Sequence, residues 1–161
     1  MIRSLENSDI QELLDIYNYY VEHTVATFDI EKLTFEVFQQ KLNRISKDYP
    51  FFIYEVHGEI LGFAYASKFR PKPAYDYTVE STVYVKEGNH GKQIGSKLYE
   101  KLITQLKLTE LHSVLGVLTL PNATSEKLHE KFGFEKVGHL KDAGLKFGKW
   151  HDVGIYQLKL N

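Results

Sequence analysis

The sequence predicts a mixed α/β fold in which helices pack on the faces of one sheet. Two observations lead to this prediction: apolar residues recur at helical spacing in several segments, and aromatic or β-branched runs alternate with those segments. The predicted order of elements is β-α-α-β-β-β-α-β-α-β-β. With 161 residues, 43% of them apolar, we expect a single domain over residues 1–161.

Two helices are predicted near the N-terminus. Ser8 and Gln11 have the spacing of a capping box, and the apolar residues that follow predict a helix over 9–22. Thr34 is expected to cap a second helix, which ends before Pro50 because the residue before a proline disfavours the helical conformation.

Three strands are predicted in the middle of the chain. The runs 51–56 and 60–66 flank His57-Gly58-Glu59, which is typical of a tight hairpin. A loop with two prolines follows, and then a strand over 77–85 that is rich in β-branched residues.

The second half begins with a glycine-containing loop, 88–95, that leads into a helix with an apolar stripe from Ile94 to Leu106. Four further elements complete the prediction: a buried strand at 114–120, a helix at 123–132 that stops at Gly133, and strands at 134–140 and 153–160.

The composition excludes several classes of function. The formal charge is −1, from 20 basic and 21 acidic residues, so we expect neither nucleic acid nor an anionic membrane as a partner. The absence of cysteine excludes disulfides, thiolate nucleophiles and cysteine-bound zinc, and the seven histidines show no metal-ligand spacing, so no metal is expected. No signal peptide or apolar run of membrane-span length is present, and we expect a cytoplasmic protein.

The loop 88–95 joins a strand to a helix N-terminus, where unpaired N–H groups and the helix dipole favour an anion such as a pyrophosphate. Its spacing fits neither the nucleotide-triphosphate loop nor the dinucleotide fingerprint. A tight connection whose glycines only permit positive φ explains the loop equally well.

Two adjacent blocks, Tyr77–Val85 and Gly91-Lys92-Gln93-Ile94-Gly95, resemble the acetyl-CoA-binding motif of the GNAT N-acetyltransferase superfamily. The chain resembles more narrowly the phosphinothricin and methionine sulfoximine acetyltransferases. Further matching blocks are Phe69–Tyr75, Leu120-Pro121-Asn122, Leu128–Phe134 and Lys146–Val153. The resemblance implies a GNAT fold, with a mixed, mostly antiparallel sheet of six to seven strands flanked by about four helices.

The resemblance implies acetyl-CoA as cosubstrate. The backbone that it places beside the pantetheine arm is that of Val83, Tyr84 and Val85. The N–H groups that it assigns to the phosphates belong to Gly91, Lys92, Gln93, Ile94, Gly95 and Ser96. It places Asn122 near the sulfur end of the cofactor, where the same residue is also expected to cap a helix.

Two positions depart from the superfamily pattern. His90 stands where Gln or Arg is usual, and Gln93 stands where Gly is usual. The backbone of Gln93 must therefore adopt the loop conformation without the freedom of glycine.

Acetyl transfer to an amine requires a neutral nitrogen, a polarised carbonyl and release of a thiolate. Strand alternation puts Glu80 on the more polar face of its strand, and the resemblance makes it the base; an exposed strand carboxylate is the alternative. His129 lies on an apolar helix stripe, where relatives carry Tyr as the proposed thiolate acid. A hydrogen-bonded core histidine explains it equally well. Asn122 completes the predicted catalytic group.

Substrate-binding residues are predicted around Glu80. Arg70 and Lys72 lie in the proline-stiffened loop before it, where they could clamp an anionic group or simply carry surface charge. The resemblance places Phe28 and Tyr75 in the substrate pocket, whereas composition alone would make them core aromatics.

The predicted reaction is direct transfer from acetyl-CoA to the α-amine of a small amino-acid-like substrate in a ternary complex, since no covalent nucleophile is evident. One alternative changes the acceptor to a polyamine, an aminoglycoside or a protein N-terminus. Another is a non-catalytic acyl-CoA-binding module. Relatives often form homodimers, so a homodimer is also expected.

Overall fold

The computed structural model describes residues 1–161 and contains one seven-stranded sheet with helices on both faces. The strands are Ile2–Ser4 (β1), Phe51–Val56 (β2), Glu59–Lys68 (β3), Thr78–Val85 (β4), Ser113–Leu120 (β5), Glu135–Lys146 (β6) and Lys149–Lys159 (β7). The helices are Ile10–His23 (α1), Phe35–Asp48 (α2), Ile94–Leu106 (α3) and Ala123–Lys131 (α4), and none is long and apolar enough to cross a membrane. The predicted fold class and element order are confirmed.

The spatial order of the strands is β1-β2-β3-β4-β5-β7-β6, and every neighbouring pair is antiparallel except β4 and β5. That parallel pair is short: only Thr78–Glu80 are matched with Ser113–Leu115. Both strands continue for five more residues, to Val85 and Leu120. The sheet therefore splits between its two central strands just after Glu80.

Each face of the sheet has its own core of fifteen buried residues. One core joins α1 and α2 to the sheet, and Tyr84 packs against it. The other joins α3 to the sheet and includes Val79, while Val83 packs against it. Because side chains alternate along a strand, Glu80 faces the α1–α2 side.

The predicted capping box at the first helix is wrong. A short turn of 3₁₀ helix precedes α1, and the Asp9 carboxylate accepts a hydrogen bond from the Glu6 N–H at 2.8 Å. Arg3 binds the same carboxylate at 2.8 and 2.9 Å, so this turn is fixed to β1. The predicted Thr34 cap of α2 is confirmed, since its hydroxyl accepts from the Val37 N–H at 3.3 Å.

The last two strands are longer than predicted. The sequence suggested strands only at 134–140 and 153–160, but β6 and β7 form a long hairpin that turns at Phe147 and Gly148, with φ of 53° and 73°. Because β6 is an edge strand, its middle is polar and lacks the alternation that marks a half-buried strand.

Any side chain at Gly62 on β3 is predicted to destabilise the fold, because a Cβ there would lie 2.8 Å from the backbone oxygen of Tyr84 on β4. We expect Gly62→Ala to lower the free energy of unfolding by about 1–3 kcal/mol. Gly138→Ala is the matched control, since its Cβ would meet only Ile155 at an ordinary 3.5 Å. Urea unfolding measures both variants, and equal stabilities would refute the argument.

Candidate functional site

A cavity of about 930 Å³ passes through the split in the sheet. Its wall includes Glu80 and Thr82 from the α1–α2 face, and Ser81 and Ser96 from the α3 face. The cavity thus connects the two faces of the sheet at the point where β4 and β5 separate. An elongated ligand could enter from one face and present its end to the other.

The backbone of β4 offers free hydrogen-bond donors to this cavity. The Lys86 N–H donates to the Leu61 carbonyl of β3 at 2.8 Å. Amides of alternate residues in an antiparallel pair point the same way, so the N–H groups of Val83 and Val85 point into the split. Neither has a partner, since the pairing with β5 has already ended.

The loop before α3 forms the second wall of the cavity. Gln93 adopts the left-handed conformation, with φ 61° and ψ 15°, and Gly91 has φ 81°. The first intrahelical donor of α3 is the Lys97 N–H, so the amides of the preceding turn remain free. Lys127 and Lys131 line the same end. Free amides, a helix N-terminus and two cations together form an anion site.

The His90 ring is tied into this wall. The Tyr20 hydroxyl donates to the Val85 carbonyl, and it lies 3.1 Å from His90 Nε2. Because its proton is engaged by Val85, Tyr20 must accept from His90. The loop 88–95, α1 and the end of β4 are therefore connected by hydrogen bonds.

Glu80 lies where the strands separate, half-buried on the wall of the cavity. Burial raises the pKa of the Glu80 carboxyl above its ordinary range, while the charge of Lys41 opposes that rise. A carboxylate with a raised pKa on the wall of a cavity is suited to take a proton from a bound ammonium group.

His129 is 3% exposed and both of its ring nitrogens are hydrogen-bonded. Nδ1 donates to the Ser125 carbonyl at 2.7 Å, so the neutral ring accepts at Nε2 from the Tyr99 hydroxyl at 2.8 Å. Tyr99 lies 2.5 Å from the Ser81 hydroxyl on β4. Burial lowers the pKa of His129. This network holds α4 against the sheet with a neutral imidazole.

The loop between α1 and α2 covers the cavity on the other face. Side chains of β5 and β6 hold it: Thr119 donates to the Val25 carbonyl at 2.6 Å, and the Lys146 ammonium donates to the Thr27 carbonyl at 2.8 Å. Phe28 is thereby placed on the cavity wall. The loop is fixed by hydrogen bonds even though it contains no regular structure.

Comparison with known proteins agrees with this geometry. A family model described as an acetyltransferase (GNAT) domain matches residues 2–155. The chain belongs to the GNAT acetyltransferases.

Two curated relatives of this GNAT enzyme are similar over nearly its full length. The phosphinothricin N-acetyltransferase of Streptomyces viridochromogenes is 39% identical over 97% of this chain and 85% of its own. The L-methionine sulfoximine/L-methionine sulfone acetyltransferase of Salmonella typhimurium is 32% identical over 99% of this chain and 94% of its own. The resemblance seen in the sequence is confirmed.

Solved structures of acetyltransferases have the same fold as this chain. An N-acetyltransferase from Staphylococcus aureus Mu50 superposes with a TM-score of 0.97 at 34% identity, covering 100% of this chain and 98% of its own. A phosphinothricin acetyltransferase from Sinorhizobium meliloti, in complex with AcCoA, has a TM-score of 0.96 at 28% identity, covering 100% and 88%.

The structure brings most of the predicted GNAT site residues together. Those that line the cavity are Phe28, Glu80, Val83, Tyr84, Val85, Gly91, Gln93, Ile94, Gly95, Ser96, Asn122 and His129. Asn122 accepts from the Ser125 N–H at 3.1 Å, which makes it the cap of α4. Its amide nitrogen has no protein partner and remains available to a ligand.

Four predicted residues lie outside the cavity wall, namely Arg70, Lys72, Tyr75 and Lys92. The Arg70 guanidinium stacks on two rings instead, 4.9 Å from the centroid of Phe69 and 5.6 Å from that of Tyr75. The ammonium of Lys92 is bound by the Asn89 side chain at 2.8 Å. In this chain the loop cations therefore do not face Glu80.

Sequence reasoning missed several wall residues, above all Lys41, Tyr17 and Tyr65. Lys41 lies on the apolar stripe of α2, three residues after Phe38 and four before Ile45. A lysine on such a stripe is the signal that could have identified it. No three His, Cys, Asp or Glu side chains are grouped so that they could hold a metal ion.

His129 gives the fold a predicted acid sensitivity. The pKa of His129 in the folded state is below the ordinary 6.5. As the pH falls below 6.5, this histidine therefore becomes protonated in the unfolded state while it stays neutral in the folded state. The stabilisation is present above that pH and is lost below it, by up to about 1.4 kcal/mol per pH unit. His129→Gln keeps a donor and an acceptor and should lose less stability than the wild type between pH 7.5 and 5.5.

Urea unfolding at the two pH values measures this difference, with His112→Gln as the control because that residue is exposed and its imidazole forms no ion pair and no hydrogen bond with the protein. An identical pH dependence in the wild type and His129→Gln would show that His129 is not held neutral.

Proposed function

We propose that the chain acetylates the α-amino group of a small amino-acid-like substrate, such as phosphinothricin, methionine sulfoximine or methionine sulfone, by direct transfer from acetyl-CoA in a ternary complex. The observation that carries the proposal is the cavity through the split sheet, which connects an anion site on one face with the half-buried carboxylate of Glu80 on the other. The named activities of the relatives support the choice of substrate.

The residues at one end of the cavity fit acetyl-CoA. The free amides at the start of α3 and the cations of α4 suit its phosphates, and the unpaired N–H groups of Val83 and Val85 suit an extended chain of amides. Asn122 offers its free amide nitrogen beside them. Acetyl-CoA supplies the acetyl group as a thioester.

Glu80 acts as the base in this scheme. It takes a proton from the substrate ammonium, so the neutral nitrogen can form the new C–N bond while the C–S bond of the thioester breaks. An N–H group of Val83 or Val85 stabilises the negative charge that develops on the carbonyl oxygen. The nitrogen loses a second proton as it becomes an amide, Glu80 releases the first proton to solvent, and the departing thiolate takes up one proton to form CoA.

The source of that last proton need not be His129. Nε2 already accepts from Tyr99, and burial opposes the protonation that would let the ring act as an acid. His129 could act as the predicted acid only if its ring were protonated. In the neutral form that the hydrogen bonds indicate, His129 instead fixes α4 against β4.

Replacing Glu80 by Gln removes the base and preserves its volume. We expect kcat/KM to fall roughly 10²–10⁴-fold while acetyl-CoA binding is unchanged. In the wild type, the acid limb of kcat/KM should lie above pH 4.5, the ordinary value for a glutamate, because burial raises the pKa of Glu80. Glu110→Gln, an exposed position away from the cavity, is the matched control.

A CoA-release assay tests the variants and the choice of acceptor together. The panel contains phosphinothricin, methionine sulfoximine, methionine sulfone, the ordinary amino acids, a polyamine and an aminoglycoside. We expect turnover with the amino-acid analogues that depends on Glu80. Acetyl-CoA binding without turnover on any acceptor would favour a non-catalytic acyl-CoA-binding module.

We also propose that the protein assembles as a homodimer through β6 and β7. Leu145 and Trp150 are cross-strand partners on this hairpin and are 53% and 61% exposed, and Leu140 and Phe147 of the same hairpin are also exposed. An apolar group of this kind on an edge hairpin is typical of a protein interface.

The double variant Leu145→Lys/Trp150→Lys should be monomeric, because two charges replace the cross-strand apolar pair. Light scattering coupled to size exclusion gives the mass. Leu108→Lys, which changes a 77% exposed leucine elsewhere, should leave the dimer intact. A wild-type chain that is already monomeric would refute the interface.

A further inference from the structure

Lys41 differs from the other lysines of the chain in its surroundings. It projects from the apolar stripe of α2 onto the cavity wall, with its ammonium 5.4 Å from the centroid of the Tyr17 ring. It forms neither an ion pair nor a hydrogen bond with any protein group. A half-buried ammonium is thus left with only an aromatic face as its partner.

The charges around the acceptor end of the cavity are few. Among the wall residues on the α1–α2 face, Lys41 is the one cation and Glu80 the one anion. The other lysines of the wall, Lys127 and Lys131, belong to α4 at the cofactor end. The nearby carboxylate of Asp29 is engaged by the Tyr17 hydroxyl.

This pair of charges is complementary to an amino acid. The ammonium of a bound zwitterion would lie at Glu80, and its acidic group would need a cation within reach. Burial lowers the pKa of Lys41, whereas Asp29 and Glu80 oppose that change. An anionic ligand group would favour the charged ammonium further and replace the hydration that burial removes.

We propose that Lys41 binds the acidic group of the amino-acid substrate, and that Lys41 and Glu80 together select zwitterions over simple amines. The inference rests on the proposed function and names the specificity-determining cation of that site. Arg70 and Lys72 do not line the cavity in the observed structure, whereas Lys41 does.

The acidic group can be the α-carboxylate or an anionic side-chain group. Four substrates distinguish them: methionine sulfone, phosphinothricin and the α-carboxamide of each. The sulfone side chain is uncharged, whereas phosphinothricin carries a second anion on phosphorus. Initial rates of CoA release give kcat/KM for the wild type, Lys41→Gln and Lys41→Arg.

If Lys41 binds the α-carboxylate, Lys41→Gln lowers kcat/KM about 10- to 100-fold on both acids and leaves both carboxamides unchanged. If it binds the phosphorus group, the loss appears on phosphinothricin and its carboxamide and not on the sulfone. Either pattern supports the proposal, and Lys41→Arg should recover most of the loss because it restores the charge.

Lys47→Gln, an exposed change on the same helix, is the matched control, and acetyl-CoA affinity shows that each variant is folded. No loss on any substrate would overturn the proposal. A loss of the same size on all four would also overturn it, since Lys41 would then act only through Glu80. If the wild type acetylates none of the four, the proposed function itself fails.

Discussion

The short pairing of β4 with β5 is the constraint on which the rest of the structure depends. Each strand is secured on its outer side, β4 by seven residue pairs with β3 and β5 by eight pairs with β7, so the edge they share can open without loss of the fold. Tyr84 holds β4 toward the α1–α2 face, with ring centroids 5.5 Å from Tyr17 and 5.0 Å from Tyr20. Backbone N–H groups are normally paired in a sheet. Those of Val83 and Val85 have no partner in the protein and are therefore available to a ligand.

The split also explains how one cavity can serve two chemically different ligands. The α3–α4 side provides free amides and cations, which suit phosphates, and the α1–α2 side provides one carboxylate and one ammonium, which suit a zwitterion. Glu80 lies at the last paired position, between the two environments. The reacting groups therefore meet where the sheet opens, and the network of Ser81, Tyr99 and His129 keeps α4 in position beside that point.

The elements with strong periodicity were predictable from the sequence, and so was the strain at Gln93, which adopts the left-handed conformation that glycine usually provides. The β6–β7 hairpin was predicted too short because an exposed edge strand needs no alternating pattern. The split has no local signature, since it arises from the register of strands more than thirty residues apart. For the same reason, Arg70 and Lys72 were predicted to bind substrate because they lie close to Glu80 in the sequence. Lys41 was missed because it belongs to a helix that is distant from Glu80 in the sequence.

The most direct test of this account is amide hydrogen exchange at Val83 and Val85, measured by NMR with and without CoA. The account predicts that both amides exchange faster than the amide of Tyr84 in the free protein, because the Tyr84 N–H points toward β3 and is paired there. It also predicts that CoA slows the exchange of both amides. Slow exchange of Val83 and Val85 in the free protein, or exchange that CoA leaves unchanged, would contradict the claim that the split between β4 and β5 is the cofactor groove.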